Sequence, residues 1–169
     1  MSGRVLALLL LGSLAVAAQP GEVSSPVLKG HEARAPIDIT ANIAEVRQLE
    51  QMALFEGQVT AVQGPLTLRA EALRVSYDMT EADRPDVSRV EVRGNVRITS
   101  PDEQAQSDWG IYDVRAGTLT LGGDVIFRQN DTVIRADRLS LDFDTGLWQF
   151  DSGPATGGVS GSFAIPDRN

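Results

Sequence analysis

Apolar and polar residues alternate with a period of two along most of the chain between Pro36 and Asp151, the pattern of β-strands with one buried face. Leu66, Leu68 and Ala70 alternate with Thr67, Arg69 and Glu71. Val90, Val92, Val96 and Ile98 alternate with Arg89, Glu91, Arg93 and Arg97, and Leu119, Leu121, Val125 and Phe127 with Thr118, Thr120, Asp124 and Arg128. One face is aliphatic and the other charged. No window of comparable length carries a helical period; the nearest, Ile43 to Met52, is short and uncapped. The expectation is an all-β chain.

The alternation changes phase at repeated places. After Ala70-Glu71-Ala72 the apolar positions move from even to odd, at Leu73, Val75 and Tyr77. The slip recurs at Ala136-Asp137-Arg138, in shortened form at Ser107-Asp108-Trp109, and more weakly around Asn42. A one-residue slip turns a strand's apolar side outward unless the chain bends there, so each slip reads as a corner. A second signature recurs between the corners: Phe55-Glu56-Gly57-Gln58-Val59, Val92-Arg93-Gly94-Asn95-Val96 and Leu121-Gly122-Gly123-Asp124-Val125. Its glycine permits a kink. Gly57, Gly94 and Gly123, with Ala70 and Ala136, fall on the inward phase, where their small size would leave room inside. Turn residues at Gln63-Gly64-Pro65, Ser100-Pro101-Asp102 and Asn130-Asp131 separate the paired strands, whereas Asp78 to Asp86 reads as a long acidic loop. Units of this kind stack on one another. They predict a curved antiparallel sheet, folded into a V or flattened roll, with an aliphatic interior and open ends.

The remaining segments differ in kind. Arg4, an apolar run from Val5 to Ala18 shorter than the ~20 residues of a spanning helix, and small residues at Ala15 and Ala17 read as a secretory signal peptide over residues 1–18, cleaved at Ala17 or Ala18. Residues 19–35 read as a flexible lead-in, 36–151 as the β-domain and 152–169 as a Gly/Ser-rich tail, with a short final strand over Val159 to Ile165. The chain has no cysteine, so disulfides and thiolate metal sites play no part. A net charge of −8 argues against nucleic acid as a partner. No nucleophile stands near a base, and the single histidine, His31, lies outside the strand pattern. The acids Asp142/Asp144 and Asp78/Glu81/Asp83 lack the spacing of a calcium loop. Neither an enzyme nor a cofactor is expected.

The stretches FEGQVTAVQGPLTLRAEALRVSYD, VEVRGNVRITSPDEQAQSDWGIYD and LTLGGDVIFRQNDTVIRADRLSLDFDTG, with the opening PIDITAN, resemble the OstA-like family of periplasmic lipopolysaccharide-transport proteins. The G-[QND]-V kinks and A-[DE]-x-L corners carry the resemblance, over about residues 36–150. It implies a twisted antiparallel β-jellyroll, V-shaped in section, that bridges inner- and outer-membrane machinery in the periplasm. It also implies an aliphatic groove for the acyl chains of lipid A. The implied partners are lipopolysaccharide, the inner-membrane component LptC and the outer-membrane translocon LptD. Edge strands Pro36 to Ala41 and Asp142 to Phe150 would dock these proteins or further copies head to tail. The expected lining is Val59, Leu68, Val75, Val92, Val96, Ile98, Leu121, Phe127, Ile134 and Leu141. Two alternatives stay open: a roll that joins proteins without holding lipid, since any β-sandwich needs an aliphatic inner face, and an LptC-like component.

Overall fold

The computed structural model describes residues 37–80, 84–153 and 157–163. The expected signal peptide and lead-in lie outside them, as do Glu81 and Asp83. Among the described residues there are ten strands and no helix: β1 (Asp38–Thr40), β2 (Ile43–Arg47), β3 (Met52–Gln63), β4 (Leu66–Met79), β5 (Pro85–Thr99), β6 (Glu103–Asp113), β7 (Thr118–Gln129), β8 (Thr132–Asp142), β9 (Leu147–Asp151) and β10 (Ser160–Ser162). All belong to one antiparallel sheet, a meander from β3 to β8. β1 and β2 both pair with β3, and β9 and β10 both pair with β8. The sheet does not close on itself, so it ends at two open edges.

The pairing of every long strand is broken along one line across the sheet, and β4 and β5 slip a second time between Ser76 and Tyr77. The aligned breaks fall between Glu56 and Val59 on β3, Arg69 and Ala72 on β4, Arg93 and Val96 on β5, Gln106 and Trp109 on β6, and Gly122 and Val125 on β7. The glycine kinks and the acidic corners, separate signals along the sequence, are therefore one line in space. Gly57-Gln58, Gly94-Asn95 and Gly123-Asp124 each place two successive residues at positive φ, at +78° and +51° for the first pair. On the neighbouring strands the line passes through Ala70-Glu71, Ser107-Asp108 and Ala136-Asp137. It divides the sheet into two limbs that fold toward each other, an unclosed jellyroll-like V. The first limb ends at the expected turns around Gly64, Pro101 and Asn130.

A side chain from the preceding strand covers each kink. A Cβ on Gly57 would lie 3.0 Å from Cβ of Asn42, and one on Gly94 would lie 2.8 Å from Cβ of Glu71. Asp108 covers Gly123 and Asp137 covers Gly153 in the same way. The Asn42 N–H donates to the Gly57 carbonyl at 2.9 Å, the Asn95 amide donates to Glu71, and the Gly153 N–H donates to Asp137. Asn95 and Asp124 follow two of the kinks, and Asn and Asp tolerate the left-handed conformation better than branched residues do. These glycines thus shape the bend. Contrary to the expectation, they do not open space for chains inside.

The facing surfaces bury an aliphatic core. Val59, Val96, Leu121, Val125, Leu139 and Leu141 are fully buried, each worth about 1.5–3 kcal/mol if fully transferred from water. The outer face is charged, with Glu91 bridging Arg74 at 3.3 Å and Arg89 at 3.2 Å. Two local expectations change. The acidic loop is shorter than the expected Asp78 to Asp86, since Asp78 pairs with Asp86 and Met79 with Pro85 as the ends of β4 and β5. Pro85 is tolerated as the first residue of β5, where its missing N–H costs least. The corner at Ser107–Trp109 is complete, in line with the others. The short final strand forms at Ser160–Ser162, against β8.

Candidate functional site

The limbs are not equally far apart along the sheet. From β1 across to Phe143, just past β8, they enclose a cleft of about 580 Å³ that opens to solvent, a size within the ordinary range of small-molecule sites. Its walls follow from the strand alternation. The first limb contributes Ile37, Ile39, Ala61, Leu66, Leu68 and Ile98, and the second Leu73, Val75, Val87, Val90, Val92, Leu119 and Leu121. Gly110 lies between them, and here a glycine does make room: an added Cβ would fall 2.8 Å from Leu121 and 3.0 Å from Val92. Gln63 and Asp86 supply polar groups to an otherwise apolar lining.

Tyr112 and Phe143 stand at the outer end of the second limb, packed edge to face with centroids 5.5 Å apart. Burial pushes the Tyr112 phenol above its ordinary value, and the nearby Asp144 carboxylate adds to the shift. The Asp142/Asp144 pair belongs to the adjoining turn. The Asp142 carboxylate accepts from the Thr145 N–H at 2.8 Å and the Asp144 N–H at 3.0 Å. These bonds, from Thr145 first, hold its pKa below the usual carboxylate range. That is turn chemistry. Among the described residues no three His, Cys, Asp or Glu side chains gather as a metal site.

Of the ten residues expected to line the groove, Leu68, Val75, Val92, Ile98 and Leu121 do so. Val59 and Val96 are packed beside the bend, 1% exposed, and Leu141 is buried on β8. Phe127 and Ile134 lie toward the β9/β10 edge, in the packed part of the V. Ile37, Ile39, Leu66, Val87, Val90, Leu119, Tyr112 and Phe143 were not singled out. Alternation marks several of them as inward, but only the width of the V at each rung separates lining from core. The two edges are rich in exposed apolar residues: Ile37, Ile43, Val46 and Leu49 on one side, Leu147, Val159 and Phe163 on the other.

The described residues thus form an open, bent β-roll with a solvent-connected, largely aliphatic cleft. Residues 38–147 match the family described as LptA/(LptD N-terminal domain) LPS transport protein. An uncharacterised protein of Rhizobium meliloti (strain 1021) is 31% identical over 122 residues, 69% of this chain and 66% of that protein. The chain therefore spans just under two thirds of that relative's length. Among solved structures, the crystal structure of LptH, the LptA homologous periplasmic component of the lipopolysaccharide transport device from Pseudomonas aeruginosa, superposes with a TM-score of 0.66. That match covers 78% of this chain and 96% of LptH at 15% identity, and it shows the shared fold. This chain belongs to the LptA/LptD N-terminal domain family of lipopolysaccharide-transport proteins. The family consists of transport components and not enzymes.

Proposed function

We propose that this protein is a periplasmic carrier that seats acyl chains of lipid A in its cleft while the lipopolysaccharide sugars and phosphates stay in water. The observation that carries the reading is the coincidence of family and geometry: a lipopolysaccharide-transport chain with an apolar, solvent-open cleft of about 580 Å³. Each methylene taken out of water is worth about 0.8 kcal/mol, so sheltering part of one chain outweighs the loss of a few ordered waters. Export would use residues 1–18 as a cleaved signal peptide. The groove residues proposed to touch lipid are Leu68, Val75, Val92, Ile98 and Leu121.

The open edges support docking by strand addition, to LptC on one side, to the LptD amino-terminal roll on the other, or to further copies of this chain. Unpaired strand edges invite another strand, and β2 is exposed along its whole length with Ile43 and Val46 uncovered. Thermal unfolding of the chain from Gln19 onward, with and without purified lipopolysaccharide, tests the carrier reading. The midpoint rises with lipopolysaccharide and does not rise with the deacylated polysaccharide. An unchanged midpoint at saturating lipopolysaccharide would leave a protein-joining roll instead.

A further inference from the structure

The chain enters its β-domain at the mouth of the cleft. Asp38 pairs with Val62, so the residues before it arrive beside Gln63 and the Gly64 turn, at the lip of the first limb. Ile37, 49% exposed, already lines the cleft there, as does Gln63. The stretch immediately before Ile37 therefore starts within reach of the apolar walls. An aliphatic hollow of about 580 Å³ left open to water is an exposed apolar patch, the kind of surface that promotes unwanted association.

The facing lip is acidic. Strand ends and turns at the tip of the second limb carry Asp78, Asp86, Asp113, Asp142 and Asp144 against Arg84 and Arg115, and Arg115 is already tied to Asp78. Asp86 itself lines the cleft. Residues 26–36, which lie outside the described residues, read PVLKGHEARAP: apolar Val27 and Leu28, then Lys29, His31 and Arg34, with Glu32 as the only acid. From Leu28 to Ile37 an extended chain reaches about 30 Å, whereas facing sheets stand only about 10 Å apart. The stretch can cross the mouth, set its basic residues against the aspartates and turn at Gly30 to send Val27 and Leu28 inward. Its tether gives it an effective concentration on the order of millimolar, so weak contacts suffice to seat it.

We propose that Val27 and Leu28 fold back into the cleft of the unloaded protein, held by Lys29, His31 and Arg34 against the acidic lip, and that an entering acyl chain displaces them. The displacement rests on the carrier reading above; the cover itself does not. The segment acts as a competitor within the same chain. It shields the cleft when no lipid is present, and it weakens lipid binding in proportion to the fraction of molecules in which it is seated.

The chain has no cysteine, so introduced pairs report position without background. In the chain from Gln19 onward, Leu28→Cys is combined either with Val90→Cys on the cleft wall or with Arg97→Cys on the outer face. Under mild oxidation the 28–90 disulfide closes many-fold faster than the 28–97 disulfide, and monolauroyl glycerol phosphate slows it. A second arm titrates the same lipid calorimetrically into wild type and into Val27→Asp/Leu28→Asp, and the variant binds it several-fold more tightly. Equal closure rates at 90 and 97 overturn the cover and leave the carrier reading intact. Lipid binding of equal strength in wild type and variant overturns the displacement. Fast 28–90 closure with no lipid binding by either protein upholds the cover and sinks the carrier reading.

Discussion

Replacing Gly94 by alanine tests how the V is made. Gly94 sits at φ +78°, a conformation that costs an L-residue about 1–2 kcal/mol. The new methyl group would also stand 2.8 Å from Cβ and 2.6 Å from Cδ of Glu71, closer than real Cβ contacts. Glu71 has to swing away, and it then loses the hydrogen bond donated by the Asn95 amide. That exposed bond contributes about 0.5–1.5 kcal/mol. Together the strain and the lost bond put Gly94→Ala about 2–3 kcal/mol below wild type. Urea unfolding followed by far-ultraviolet circular dichroism measures this as a lowered midpoint with an unchanged slope. Gly157→Ala is the control. Gly157 also has positive φ, at +71°, but nothing lies within 4 Å of its added Cβ and it belongs to no strand, so its backbone can relax. Its cost stays within about 0.5 kcal/mol, as for ordinary surface changes. A Gly94→Ala cost as small as that of Gly157→Ala would refute the capped-kink explanation of the bend.

Core and cleft separate by mutation. Leu139→Ala, at a fully buried position away from the cleft, lowers stability by about 2–5 kcal/mol. Leu68→Ala, half-buried in the cleft wall, costs less stability but weakens lipopolysaccharide stabilisation more; equal effects of both variants on both readouts would contradict the division. Tyr112 gives a pH signature. Its folded-state pKa lies above the ordinary 10.0, so the stability it contributes is intact below that pH and is lost as pH rises through the folded-state value. Urea midpoints on either side of pH 10.0 show a steeper alkaline loss for wild type than for Tyr112→Phe; identical losses would show that the phenol is not shielded.

Much of this architecture can be read from the chain. Alternation locates the long strands, and the slips at Ala70-Glu71 and Ala136-Asp137 mark bends. That Gly57-Gln58 and Ala70-Glu71 meet can be recovered by counting outward from the Gly64-Pro65 turn, which pairs Val59 with Ala70. What alternation does not encode is the distance between the limbs. Phe127 is as inward and apolar as Leu68, but it faces Trp148 and Phe150 across the V whereas Leu68 faces open space. Those partners lie on β9, paired only to β8, so their position depends on the whole meander before them. The glycines are the converse case. Gly94 carries the G-[QND]-V signature and turns the chain, whereas Gly110, outside that signature, widens the cleft, and only its neighbours Val92 and Leu121 reveal this.

The most direct test of the carrier claim is photo-crosslinking from single sites in the presence of lipopolysaccharide. A photoreactive phenylalanine analogue at Leu68 faces the cleft, and one at Arg97, exposed on the outer face one strand away, does not. The account predicts a lipopolysaccharide adduct from position 68 and none from position 97. Adducts from position 97 alone, or equally from both, would mean that the cargo travels on the outside of the roll and that the cleft is not its seat.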